Sequence, residues 1–257
     1  MWELFLAELR RSWTIYRSYQ FEALGGILIC TILFYGLFLS ASYIAGPSLQ
    51  LGDRLDSIVI GYVLWSLVLF IMASIAGGLQ SEAQTGTLEQ LFLSRFGAIK
   101  VFLMRTMADL FLQMVQVISI LFLIMALTQS HLNFPPTLIL PFATVLMGAY
   151  GISFTLGSLA LLLKRVQQLQ IIFQFIPLFL LATPTENWTG SARILGQFLP
   201  MCPGAELLRD LMARGESLNF TKLVIALVNG AVYFTLGLLL FRLAEREAKR
   251  RGMLSGY

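Results

Sequence analysis

A short polar island, Glu82-Ala-Gln-Thr-Gly-Thr-Leu-Glu-Gln-Leu-Phe-Leu-Ser94, separates two long apolar stretches of the chain. Its residue types suit docking better than catalysis. Gly86 allows a tight backbone approach, and Thr87 can cap a helix start. Leu88, Leu91 and Phe92 share one helical face that could fill a pocket, while Glu82 and Glu89 offer charge to basic groups on a partner. Catalytic chemistry has little to work with elsewhere. The sequence holds no G-x-x-x-x-G-K-[ST] motif that would cradle a nucleotide phosphate. His131 is the sole histidine, and Cys30 and Cys202 are too few for a disulfide framework or a metal site. The chain is therefore expected to be neither an ATPase by itself nor an enzyme.

Other polar residues lie within apolar surroundings. Arg105, Asp109, Gln113 and Gln116 are spaced four, four and three, which places them on one stripe of a helix. Charges in a membrane segment are usually paired or face a cavity. Arg105 and Asp109 can pair at i, i+4 and fix the helix against a neighbour, or the stripe can line a path. Gln167, Gln170 and Gln174 form a second stripe, which serves either ordinary inter-helix hydrogen bonding or a path. Tyr35, Phe38 and Tyr43 could make an aromatic wall or simply pack. Small residues at Ser153-x-x-x-Gly157 and Ala226-x-x-x-Gly230 permit close helix crossings.

The elements that must carry these residues are membrane spans. Of 257 residues, 57% are apolar and only 12% charged, with a mean hydropathy of +0.77, whereas soluble domains carry about 25% charged residues. Five stretches, 23–44, 57–79, 101–127, 137–163 and 223–243, supply the roughly 20 apolar residues that a crossing needs. A sixth, 169–182, is about 21 Å long as a helix against a hydrocarbon core of about 30 Å. It contains Pro177 and stops at Thr183-Pro184. Mixed polar and apolar sequence follows over 184–216, including Phe198-Leu-Pro-Met-Cys-Pro203. This reads as a re-entrant helical hairpin ahead of the last span.

Charge sets the orientation. Arg10, Arg11, Arg17, Arg95, Lys100, Arg105, Lys164, Arg165, Arg242, Arg246, Lys249, Arg250 and Arg251 fall on one side, against Arg54, Arg193, Arg209, Arg214 and Lys222 on the other. The excess predicts six spans with both termini cytoplasmic. A pI near 9.2 thus reflects topology and anionic lipid, not nucleic acid. Residues 1–20 place Trp2, Phe5, Leu9, Trp13 and Tyr16 at helical spacing, as an amphipathic helix in the membrane interface does. Glu3, Glu8 and Glu22 argue against a signal peptide. The basic tail, 244–257, extends the last helix, so that 1–257 forms one membrane domain.

Two segments carry a family resemblance. Glu82-x-x-x-Gly86-Thr-Leu-Glu-Gln-Leu-x-Leu-Ser94 resembles the cytoplasmic signature of ABC-2 type transporter permeases, with Arg95 standing where many members have Pro. Leu199-Pro-Met-Cys-Pro-Gly-Ala-Glu-Leu-Leu-Arg209 is similar to the Pro-x-x-Pro-x-x-x-x-x-Arg stretch before their last span. The resemblance implies that Glu82, Gly86, Thr87, Leu88, Glu89, Leu91, Phe92 and Ser94, within loop 81–97, form a coupling helix for a separate ATP-binding subunit. That subunit would be present in two copies and carry the ATP and Mg. It further implies that Pro200, Pro203 and Arg209 belong to the re-entrant gate. The first and fifth spans would meet a second permease copy, as homodimer or related heterodimer, and frame a route past Tyr35, Phe38, Gln170 and Gln174. Arg105 and Asp109 are further candidates for the pathway. The expected activity is export of an amphipathic or lipid-like substrate (a drug, natural product, lipid or lipid-linked glycan) across the cell (inner) membrane. The rival reading is an ion-coupled secondary transporter using Asp109.

Overall fold

In the computed structural model the described residues are 2–45, 52–84, 97–129, 132–163, 167–183, 185 and 188–250, and among them every regular element is helical. In chain order these are α1 (Trp2–Ser18), α2 (Gln20–Ala45), α3 (Gly52–Met72), a π turn (Ala73–Gly77), α4 (Gly78–Gln84), α5 (Ala98–Thr128), a 3-10 turn (Pro136–Leu138), α6 (Ile139–Leu162), α7 (Gln167–Ala182), α8 (Ser191–Phe198), α9 (Cys202–Met212) and α10 (Phe220–Arg250). Among the described residues four helical stretches are long and apolar enough to cross a membrane: Asp56–Glu82, Ile99–Thr128, Pro136–Leu162 and Phe220–Arg250. Leu24–Gly36 and Ile171–Ala182 are shorter apolar helices among the described residues.

α3 is central because it is apolar on every side. Val59, Leu67, Val68, Ile71 and Met72 are buried, with α5, α6 and α7 packed around them. The π turn continues α3 into α4 and buries Ile75 and Ala76. Such a turn adds a residue to the helical repeat and so re-aims the side chains that follow.

The closest packing joins α6 and α10. On α10, Ala226, Gly230, Gly237, Phe241, Ala244 and Ala248 are buried, a near-heptad seam made mostly of small residues. Where the helices cross, a Cβ on Gly237 would collide with the Gly151 backbone, and one on Gly151 with the Tyr233 backbone. The expected crossing at Gly230 is present, 2.7 Å from a would-be Cβ to the Thr144 carbonyl. Gly157 meets Leu79, Ile75 and Phe241. Without a hydrophobic drive between helices in lipid, such close backbone approach is the main source of packing energy.

α1 packs against α5 through two polar residues. Glu8 and Ser12 are buried, while Trp13 is 56% exposed and Ile15 48%. Of the stripe expected at the membrane interface, Trp13 is exposed and Phe5, Leu9 and Tyr16 are half-buried.

The last carbonyls of the short helices need partners. At the end of α7, Leu180 O accepts from Cys202 Sγ at 3.6 Å and Leu181 O from Arg209 Nη2, both side chains coming from α9. At the end of α8, Gln197 O and Leu199 O accept from Asn229 Nδ2, and Phe198 O from Tyr233 Oη, both from α10. Each short helix is thus capped by a neighbour.

Candidate functional site

The densest polar cluster lies where α1, α4 and α5 meet. Arg105 is seven residues into α5, about 10 Å from its start. Its Nη1 is 2.8 Å from Glu82 Oε1 on α4, and its Nε is 3.4 Å from Glu8 Oε2 on α1. Glu8 also holds Arg11 at 3.3 Å. The Arg105 guanidinium sits 5.6 Å from the Phe102 ring centroid, a cation–π contact on its own helix. One turn further along α5, Asp109 accepts from Ser12 Oγ of α1 at Oδ1 and from Ser74 Oγ of the π turn at Oδ2, the latter at 3.2 Å.

Arg105 and Asp109, which could have paired with each other at i, i+4, do not do so. Each takes partners on other elements: Arg105 finds opposite charge on α1 and α4, and Asp109 finds hydroxyls on α1 and the π turn. Glu82, expected to face a partner protein, has a side chain only 16% exposed beside Arg105. The cluster therefore ties together the helix that leads into residues 85–96, the helix that leads out of them, and α1. Gly86, Thr87, Leu88, Glu89, Leu91, Phe92, Ser94 and Arg95 lie outside the described residues, as do the side chains of Tyr43 and Gln170.

A second arrangement connects α2, α3 and α7. Phe34 stacks with Phe38 at 6.5 Å and meets the Tyr62 ring at 4.9 Å, and Tyr62 meets Trp65 at 5.3 Å. Tyr35 and Phe38 are 6.2 Å apart on α2. Tyr62 Oη donates to Cys30 O at 2.7 Å, and Trp65 Nε1 donates to Gln174 O at 3.1 Å. Tyr35, Phe38 and Gln174 are thus gathered around one aromatic ladder. Tyr62 and Trp65 were not singled out in the sequence. Their spacing of three on an apolar span was the signal that could have found them.

The third group is on α9. Pro203 lies in its first turn, after Pro200 and a left-handed Met201 (φ 66°). Arg209 is 1% exposed and caps α7 as described above. Asp210 is buried between Arg214 Nη1 at 2.5 Å and Lys222 Nζ at 2.6 Å, and Lys222 also reaches Glu206 at 2.8 Å. These balanced charges join α9 to the start of α10.

Fold and cluster together define a polytopic helical membrane protein whose polar residues work at helix junctions. Residues 48–239 match the family model described as ABC-2 family transporter protein, and the chain belongs to that family. It is an integral membrane permease, the non-catalytic subunit of an ABC transporter, and works with an ABC ATP-binding partner. No curated protein matches the sequence.

Proposed function

We propose that the chain is the permease half of an ATP-driven exporter, assembled as a homodimer or related heterodimer with two ATP-binding subunits that carry ATP and Mg. In this reading the domain crosses the cell (inner) membrane six times, α2 and α7 supplying the first and fifth crossings, with both termini cytoplasmic. Residues 184–216 re-enter the membrane as a hairpin, and the tail 244–257 stays in the cytoplasm.

The observation that carries the reading is the Arg105 cluster. Residues 81–97 would form the coupling element, with Glu89 and the Leu88, Leu91 and Phe92 face gripped by the ATP-binding subunit. Arg105, held by Glu82 and Glu8, makes the stems of that element and α1 move as one body. ATP-driven closure of the partner would then shift the two-state equilibrium of the membrane helices, provided the partner binds the two states differently.

The exposed apolar faces of α2 (Ile29, Ile32) and α7 (Ile172, Phe179) suit a second copy. The ladder around Tyr35, Phe38 and Gln174, with Gln170 on the same helix, would border the route between copies. An aromatic route with few charges fits an amphipathic or lipid-like cargo. The ion-coupled alternative loses support, because family membership points to an ATPase partner and both Asp109 carboxylate oxygens already accept hydrogen bonds.

Because Glu82 is engaged within the chain, Glu89→Arg is the cleaner test of docking. Tagged chain purified in mild detergent should bring a P-loop ATPase with it, and Glu89→Arg should release that ATPase while the permease stays folded. Isolation of the chain without any ATPase, or full retention in Glu89→Arg, would refute the coupling assignment.

A further inference from the structure

A cavity of about 240 Å³ lies between α3, α5, the 3-10 turn with the start of α6, and α9, on the side of the bundle nearest the α5–α6 connection. Its wall is entirely apolar. Leu64 of α3, Val117 and Leu121 of α5, and Leu208 and Met212 of α9 form the deep part, each no more than 9% exposed. Ile118 (44% exposed) and Ile139 (72% exposed) stand at the mouth.

We propose that this cavity holds the inner half of one acyl chain of a bilayer lipid, wedged between α5 and the short helix α9, the rest of the chain lying outside the mouth. Three observations lead there. A cavity without polar partners does not hold water, which needs two to four of them. In an integral membrane protein the fluid bathing Ile118 and Ile139 at this depth is hydrocarbon, and acyl chains are what it contains. The cavity is also separate from the aromatic ladder. Ile60, Val63 and Leu64 of α3 face it, whereas Tyr62 and Trp65 turn the other way, toward α2 and α7. Its occupant is accordingly a resident lipid and not cargo on the proposed route. The proposal rests on the chain crossing a membrane and not on the direction of transport or the identity of the ATPase.

The functional consequence follows from α9. Every residue of Cys202–Met212 except Glu206 is buried, so α9 offers bulk lipid almost no surface. Its Leu208 and Met212 would nonetheless touch the bound chain, and its Arg209 holds the end of α7. The lipid would therefore brace the helix that caps α7.

The test reconstitutes the full-length chain, with whatever subunits it retains, into phosphatidylcholine–phosphatidylglycerol vesicles. These contain a small fraction of phosphatidylcholine with a mid-chain diazirine on one acyl chain. Irradiation followed by peptide mass spectrometry maps the label. The expected result is label on the α9 peptide at Leu208 or Met212 at a level matching Phe111 and Val115, which face outward on α5. The α9 label should survive transfer to lipid-free detergent before irradiation, whereas the Phe111 and Val115 label should be lost. Val117→Phe, which fills the cavity, should abolish only the α9 label. Label confined to Phe111, Val115 and other outward residues of the unmodified chain would overturn the proposal, whether or not the variant folds. So would α9 label that disappears with bulk lipid.

Discussion

Arg105 Nη1 lies 2.8 Å from Glu82 Oε1, linking the residues that flank segment 85–96 across 23 positions of sequence. The two side chains are 14% and 16% exposed, between the surface pairs worth about 0–1 kcal/mol and the buried pairs whose disruption costs about 3–5 kcal/mol. Arg105→Met leaves Glu82 and Glu8 facing each other with no shared cation, and should cost about 1–3 kcal/mol by the same comparison. Glu82→Gln should cost less, since Arg105 keeps Glu8. Thermal unfolding in detergent checks the order. The double exchange Glu82→Arg with Arg105→Glu should restore only part of the loss, because Glu8 would then meet a carboxylate. Full restoration would show that Glu8 plays no part.

Asp109 separates two mechanisms. Asn at this position still accepts from Ser12 at its carbonyl oxygen and can donate to Ser74 through its amide, so Asp109→Asn should retain transport and fold. Asp109→Leu leaves both hydroxyls facing an apolar side chain and should destabilise the α1–α5 junction by about 1–3 kcal/mol. Vesicle transport assays of the two variants decide the matter. Loss of transport in Asp109→Asn with an unchanged unfolding temperature would restore the ion-coupled reading.

The α6–α10 crossing predicts a contrast among glycines. Gly237→Ala puts a methyl group into the Gly151 backbone, so the helices must part or shift, at about 1–3 kcal/mol for such overpacking. Gly25→Ala, with open space around its would-be Cβ, should be neutral or slightly stabilising, since alanine gains about 1 kcal/mol over glycine in a helix. Unfolding temperatures of the two variants check this. Equal effects would mean that the crossing is looser than the structure has it.

Those three regions also mark where sequence reasoning stops. Long apolar runs reveal their helices directly, and the four strongest spans needed nothing more. Periodicity could place Arg105 and Asp109 on one stripe, but it sees only one helix at a time. It offered the i, i+4 partner and could not see Glu82 or Glu8, which are 23 and 97 residues away. The search for small residues four apart found Gly230 and passed over Gly151 and Gly237. The buried positions of the α10 seam fall at steps of four, seven, four, three and four, and its two glycines lie seven apart. Before and at the start of α9, Pro200, Pro203 and a mixed composition pointed to an irregular segment, and Arg209 was placed by charge on the non-cytoplasmic side and by resemblance in the re-entrant gate. Nothing local to Arg209 announces that α7 ends beside it with carbonyls to satisfy.

That last relationship carries its own reporter. The chain has two cysteines. Cys202 is 1% exposed with its thiol on Leu180 O, and Cys30 is half-buried on α2. Arg209→Met keeps the apolar stem of the side chain but removes the donor to Leu181 O, leaving that carbonyl unsatisfied at a cost of about 1–3 kcal/mol. Because Cys202 and Arg209 grip consecutive carbonyls, loss of one weakens the hold of the other, and α9 should separate transiently from the end of α7. A membrane-permeant maleimide should then modify Cys202 in Arg209→Met and leave it intact in the unmodified protein, with Cys30 reacting equally in both. Equal protection of Cys202 in the two proteins would mean that packing alone holds α9 in place, and that Arg209 is not what caps α7.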